Sequence, residues 1–394
     1  MAAGSTAVGQ SPVALDGTVD VVIARPDDWH VHLRDDEMLA AVAPLTAATF
    51  RYALVMPNLV PPICTSAAAA AYRQRILACA GRETAPGFTP LMVAYLNPQL
   101  AIDDLRRGVE AGVWHAVKYY PAGATTNSEH GGTSLLAFGP VLDAMTDLGL
   151  PLLVHAESTN PAIDIYDREQ AFLDGELAPV VGAWPELAVT VEHLSTRAGV
   201  EFVTAHPQVK GSITPHHLAC DRSDLVANGL RPDLYCKPII NSADDRRALV
   251  AAATSGSAEF FLGTDSAPHP AAHKYTDRAK PGIFNAPFAL PVVAEVFYQA
   301  DALANLEAFT SLNGCRHYGF PPASSRLRLT RAPNRERAGD QSSPAPATNT
   351  VVTADGQTVV IFGAEQARHW TVVGQSSPQL RVTTAQGGAG RPLQ

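Results

Sequence analysis

Short apolar runs alternate along the chain with longer stretches whose apolar positions recur every three or four residues. Eight of the short runs read as strands: DWHVHLR (28–34), RYALVMP (51–57), TPLMVAYL (89–96), WHAVKYY (114–120), PLLVHAE (151–157), LAVTVEHL (187–194), KGSITPHHL (210–218) and AEFFLGTDS (258–266). Between them lie helical patterns. TSAAAAAYRQRILACAG (65–81) opens on a Thr or Ser cap and closes on Gly; 102–112, 133–149, 164–175, 196–205 and 242–256 follow the same plan. Eight strands alternating with helices predict an α/β fold, a (β/α)8 TIM-type barrel rather than an open sheet. Two further helical stretches follow residue 285. Composition then turns rich in Pro, Ser, Ala and Arg, which predicts a loop over 321–350. VVIFG (359–363) and HWTVVG (369–374) read as short strands after it. The expected organisation is a flexible leader (1–20), a catalytic barrel (21–320), the loop, C-terminal strands packing on the barrel (351–376) and a disordered tail (377–394).

Composition narrows the function. Of 394 residues, 46% are apolar and only 17% charged, enough for a large core. The net charge of −9 argues against a nucleic-acid or anionic-membrane partner. Five widely spaced cysteines without a CxxC read as reduced, intracellular thiols. No apolar run approaches the roughly 18 residues of a membrane span. The N-terminus, MAAGSTAVGQSPVALDGT, lacks a basic region, so a cytoplasmic protein is expected.

The chemistry lies in where the polar residues fall. His30 and His32 end the first strand, and Arg34 shares their face because extended residues two apart point the same way. Asn58 ends the second strand, Lys118 lies near the end of the fourth, His155 ends the fifth, His193 the sixth and Asp265 the eighth, with His269 just after. Strand C-termini share one rim of a parallel barrel, the rim where active sites form. Each residue alone has an ordinary explanation: a core histidine, a snorkelling lysine, a helix cap, a turn asparagine. Their joint placement is the signal. Four histidines and an aspartate suit Zn²⁺ or a similar divalent ion. An ammonium beside two such ions is repelled. A lysine that has added carbon dioxide is instead an anionic carbamate able to bridge them. With an aspartate and a bridging hydroxide, two Zn²⁺ then keep a net positive charge to attract an anion.

These residues sit in stretches that resemble a known family. RPDDWHVHLRD, VMPNLVPP, AYRQRIL, FTPLM, KYYPAGATTNSEHG, PLLVHAE, EHLST, ITPHHL, RPDLYCKPI, GTDSAPH and FNAPFAL, in this order over roughly residues 25–320, resemble the metal-dependent amidohydrolases. Within these, the likeness is to the short, free-standing dihydroorotases, and VVIFGAEQARHWTV resembles their closing segment. The resemblance implies reversible cyclisation of N-carbamoyl-L-aspartate to L-dihydroorotate, in pyrimidine biosynthesis. It implies two Zn²⁺ per chain: His30, His32 and Asp265 on one, His155 and His193 on the other, carbamylated Lys118 and a hydroxide between them. Asp265 would also be general base and acid. Arg34, Asn58 and His269 would hold the substrate carboxylate, and Thr125 and Thr126 would close over it from the glycine-rich segment 121–132. The metal set leaves His216 and His217 as supporting or core residues. Lys237 and Pro281 fall where ring contacts are expected, but Lys237 stands where bacterial relatives often carry an apolar residue. Pro281 has no N–H to offer, and HPAAHKYTDRAKPGIFNAP replaces a cysteine-rich loop. The resemblance also implies a homodimer. The alternatives are another cyclic-amide hydrolase (a hydantoinase or allantoinase), a single-metal hydrolase with unmodified Lys118, and an inactive scaffold on the same barrel. Intact ligands disfavour the last.

Overall fold

The computed structural model describes residues 17–81, 86–333 and 349–373. Most of the expected leader, the middle of the expected 321–350 loop and the expected tail at 377–394 lie outside the described residues.

After β1 (Val19–Ala24), eight parallel strands follow one another round a single sheet: β2 (Asp28–Val31), β3 (Tyr52–Val55), β4 (Thr89–Tyr95), β5 (Trp114–Tyr119), β6 (Leu152–Val154), β7 (Val189–Val191), β8 (Val209–Ile213) and β9 (Phe260–Leu262). A parallel bridge from Val31 to Ser266 joins the two edges, so the sheet closes into a (β/α)8 barrel. All eight runs read as strands from the sequence form it. Side chains alternate across it: Leu91 and Val93 of β4 pack inside the barrel with Trp29, Leu153 and Phe261, whereas Met92 and Ala94 join the larger core with the helices. The helices begin where the sequence supplies caps. Thr65 accepts from the Ala68 N–H ahead of the helix Ser66–Ala80, and Thr196 caps Arg197–Ala205 in the same way.

The fold departs from expectation in several places. A helix at Asp36–Thr49, capped by Asp35, falls outside the expected set. The strand expected at 210–218 stops early: Thr214 caps a short helix, Pro215–Ala219, with Pro215 in its first turn. The helix expected at 164–175 runs from Arg168–Phe172 through one wide turn, Leu173–Leu177, into Ala178–Ala183. The 321–350 loop has to be corrected, because β10 (Arg326–Arg331) lies inside it. RLRLTR alternates, with Leu327 and Leu329 buried and Arg326 and Arg328 exposed, and this period of two outweighs the Pro/Ser composition that follows. β11 (Thr350–Val352) pairs with β12 (Thr358–Val360), and β13 (Trp370–Val373) pairs with β10, which also pairs with β1. The antiparallel sheet β1–β10–β13 is separate from the barrel, so β1, at the start of the expected 21–320 barrel, belongs to this second sheet.

Candidate metal centre and substrate pocket

The strand ends converge as the barrel rim requires. His30 Nε2 lies 3.2 Å from His32 Nε2, and Asp265 Oδ1 lies 3.3 and 3.2 Å from these two nitrogens. Across the mouth, His155 Nδ1 lies 3.1 Å from His193 Nε2. Ligand atoms of His30, His193 and Asp265 fall within 4.8 Å of one another, so the two groups form one cluster. All are buried, and Lys118 reaches in from β5 with no exposure.

Outward contacts fix which nitrogen of each ring faces the centre. His32 Nδ1 donates to Asn58 Oδ1 at 2.8 Å, since that amide oxygen can only accept. His155 Nε2 donates to Glu157 at 2.7 Å. His30 Nδ1 sits 3.0 Å from Glu192 Oε1, whose other oxygen contacts Lys118 Nζ. His30, His32 and His155 thus each turn one nitrogen to an outward acceptor and aim the other at the cluster centre, where His193 Nε2 also points. Lone pairs facing each other at such distances repel unless a cation lies between them. This donor set therefore fits divalent metal.

The electrostatics agree. Burial holds His32 down to about 4 and His193 well below the ordinary imidazole range, so both present neutral rings. For His30 burial works the same way, but the Glu192 and Asp265 carboxylates outweigh it and raise the ring to about 9, so positive charge is favoured at this point. Burial also opposes the Asp265 carboxylate, yet the positive charge favoured at His30 keeps it well below the usual range. Burial lowers Lys118 against the opposing pull of Glu192, toward the neutral amine that carbon dioxide addition needs. Three site residues adopt left-handed backbone: Arg34 (φ 58°), His193 (φ 45°) and Asp265 (φ 43°). Each conformation costs about 1–2 kcal/mol for a side-chain-bearing residue.

The expected substrate residues gather beside the cluster. Arg34, Asn58, Thr125, Thr126, Lys237 and Pro281 line the same small cavity as the metal-type residues. His269 stands behind Arg34, its Nε2 3.1 Å from Arg34 Nη2 and 2.9 Å from the Pro281 carbonyl. Asn58, which lines this cavity, also orients His32 and donates to the Thr126 carbonyl at 2.9 Å. The segment 121–132 lies over the mouth, with Thr126 Oγ1 3.4 Å from the Pro281 carbonyl. Lys237 Nζ lies 3.4 Å from Glu157. His216 and His217 stay outside the cluster: His217 bonds Thr214 and the Pro238 carbonyl, and His216 faces Asn285. Sequence reading passed over Glu192 and Glu157. The available signal was their spacing: each is an acid within two positions of a strand-end histidine, in VEH and HAE.

The model of the Amidohydrolase family matches residues 23–328. A dihydroorotase from Ruegeria pomeroyi is 47% identical over 356 residues, covering 90% of this chain and 99% of that protein. The chain belongs to the dihydroorotase family. Among solved structures, a dihydroorotase from Campylobacter jejuni superposes with a TM-score of 0.78 at 32% identity, covering 90% of this chain and 98% of that one. The Saccharomyces cerevisiae dihydroorotase in complex with 5-fluoroorotic acid also gives a TM-score of 0.78, at 28% identity over 90% of this chain and 98% of that one. The family likeness spans the whole barrel, so the clustered histidines sit on a dihydroorotase scaffold from end to end.

Proposed function

We propose that the protein is a hydrolase of cyclic amides that interconverts N-carbamoyl-L-aspartate and L-dihydroorotate with exchange of water. The observation that carries this reading is the convergence of four histidines, Asp265 and Lys118 at one rim, directly beside the Arg34 guanidinium. His30, His32 and Asp265 would hold one Zn²⁺, His155 and His193 a second, and carbamylated Lys118 would bridge them after leaving Glu192. When bound, such ions polarise the scissile carbonyl and make water acidic. Asp265, held ionised, takes the proton of the attacking water and passes it to the departing ring nitrogen. Arg34 offers its fork to the substrate carboxylate, with His269 and Asn58 fixing the surroundings of that fork. Lys237 and Pro281 border the ring, and Thr125 and Thr126 cover it. The space beside the cluster, about 20 Å³, holds about one water. Thr125 and Thr126 of segment 121–132 border this space, so movement of that segment would widen it for a six-membered ring. The same reading makes the protein a cytoplasmic homodimer acting on a small molecule, with no nucleic-acid or membrane partner. Among the described residues, no helix is long and apolar enough to cross a membrane.

The test is ultraviolet-monitored turnover of L-dihydroorotate by zinc-loaded protein beside Lys118→Ala, with metal content measured for both. Ring opening by the wild type, two metals per chain, and loss of both a metal and activity in the variant support the whole scheme. One metal per chain in an active wild type refutes the bridging role. Two metals with no turnover refute the substrate and redirect the search to hydantoins and allantoin.

A further inference from the structure

Two backbone segments form the ring-side wall of the pocket: one carries Lys237, the other Pro281 and Gly282. They are far apart in sequence; Cys236 and Ile283 share a buried apolar cluster, and two polar contacts join the backbones. Gly282 N–H donates to the Tyr235 carbonyl at 2.9 Å. Gly282 has φ +146°, and a Cβ there would meet the Ala267 carbonyl oxygen at 2.7 Å, so only glycine brings the segment this close. Lys274 supplies the other contact. It ends the short helix Ala271–Lys274 and is only 5% exposed. Its Nζ donates to the Tyr235 carbonyl at 2.7 Å and to the Gly282 carbonyl at 2.6 Å. A buried ammonium is costly, and this one spends its donors on two wall carbonyls rather than on a carboxylate. Behind the wall lies a cavity of about 120 Å³, bounded by Gly282, Ile283 and Phe284 on one side and Ile361 and Phe362 on the other. Beyond Gly282 the segment is held by the Ala267 N–H to the Ile283 carbonyl at 2.8 Å and the Phe362 N–H to the Phe284 carbonyl at 2.7 Å, so the tie acts at the Tyr235–Gly282 end of the wall.

We propose that Lys274 is a positioning residue: its ammonium clamps the Tyr235 and Gly282 carbonyls and thereby sets how the substrate ring seats between Lys237 and Pro281. Binding geometry depends on it, while the metal cluster and Asp265 do not touch it. The proposal rests on the dihydroorotase reading. The groups that face Lys274 or share its cavity are Asp233, Tyr235 and Cys236 from one segment, His269 from the loop before its helix, Arg231, and Glu365. Burial lowers the ammonium to about 8, with Cys236 and Asp233 pulling the other way. The charge on the clamp is therefore lost as pH rises past about 8.

The experiment is steady-state turnover of L-dihydroorotate by zinc-loaded wild type, Lys274→Met and Lys274→Arg across this pH range, with thermal melts. Methionine keeps the aliphatic stem without donors; arginine keeps charge and donors at every pH. The expected results are a KM raised about tenfold in K274M with kcat changed less than about threefold. In the wild type, KM rises above about pH 8, and that limb is absent from K274R. A folded K274M with wild-type KM, or one whose kcat falls while KM holds, overturns the proposal. If K274M does not fold, K274R decides: loss of the pH limb supports the clamp, and retention overturns it. A wild type that does not turn over dihydroorotate refutes the functional reading instead.

Discussion

Replacing Glu192 with glutamine tests how far the metal centre depends on residues that never touch the metal. Glu192 is wholly buried between His30 Nδ1, 3.0 Å away, and Lys118 Nζ. Gln has nearly the same shape, so packing is preserved and charge is lost. Hydrogen bonds to charged groups contribute about 1.5–3 kcal/mol and neutral ones about 0.5–1.5. The amide oxygen of Gln can serve only one of the two donors, and its NH₂ faces the other. Since carbamylated Lys118 would have left Glu192, the expected loss is about 1.5–3 kcal/mol in holding His30 in place. Expressed as metal binding, that is about 10–100-fold weaker affinity. Competition for Zn²⁺ with a chromophoric chelator measures this directly, and metal analysis after dialysis confirms it. Activity at saturating zinc should recover substantially, since the ligands themselves remain. If E192Q holds zinc within about twofold of wild type, the carboxylate does not organise the site and this reasoning fails.

Three other outcomes follow from the geometry. Arg34→Lys replaces a planar fork by a point charge, so KM for dihydroorotate should rise about tenfold with kcat little changed in steady-state kinetics. Glu169 accepts four hydrogen bonds from the N–H and hydroxyl groups of Ser195 and Thr196, and burial raises it to about 7. A carboxyl with a raised folded-state pKa contributes stability that is full below its unfolded value and fades as pH rises through the folded one. The Tm advantage of wild type over Glu169→Gln should therefore shrink as pH rises through about 7; an advantage that grows contradicts the sign. Finally, a Cβ at Gly314 would meet Trp29 Nε1 at 2.0 Å. Gly314→Ala should cost about 1–3 kcal/mol by overpacking, read as a lower Tm with ligand affinities intact.

Much of this architecture was legible because barrel strands are short, apolar and regularly spaced. HVHLR, LLVHAE and LGTDS each place a polar group just past such a run, and one rim gathers them. What the sequence concealed depended on partners far along the chain. Glu192 reads as one more acid in a strand until the barrel brings it between His30 and Lys118. The contacts of Asn58 with His32 and Thr126 are likewise invisible until the fold brings these residues together. β10 was hidden for another reason: its leucine–arginine alternation is local, but the Pro/Ser-rich residues beyond it dominate any average over 321–350.

The proposed ligands also straddle the seam where the barrel closes. His30 belongs to β2, His32 follows it directly, and Asp265 follows β9, the first and last strands of the ring. Few backbone bonds cross there: Asp265 N–H to the His30 carbonyl at 2.9 Å, and His32 N–H to the Ser266 carbonyl at 3.0 Å. Asp28 reinforces the seam by accepting from the Thr264 N–H and hydroxyl. Arg34 and Asp265, both in left-handed backbone, lie next to this junction. An ion shared by His30, His32 and Asp265 would cross-link the two edges. Binding linkage then predicts about 4 kcal/mol of added stability at a thousandfold excess over Kd. The stabilisation should be local as well as global. In hydrogen exchange, metal stripping should speed the His32 and Asp265 amides more than that of Val93, which lies on β4 away from the seam and from every proposed ligand. Uniform acceleration along all strands would mean that the metal supports the barrel as a whole and that the seam has no special dependence on it.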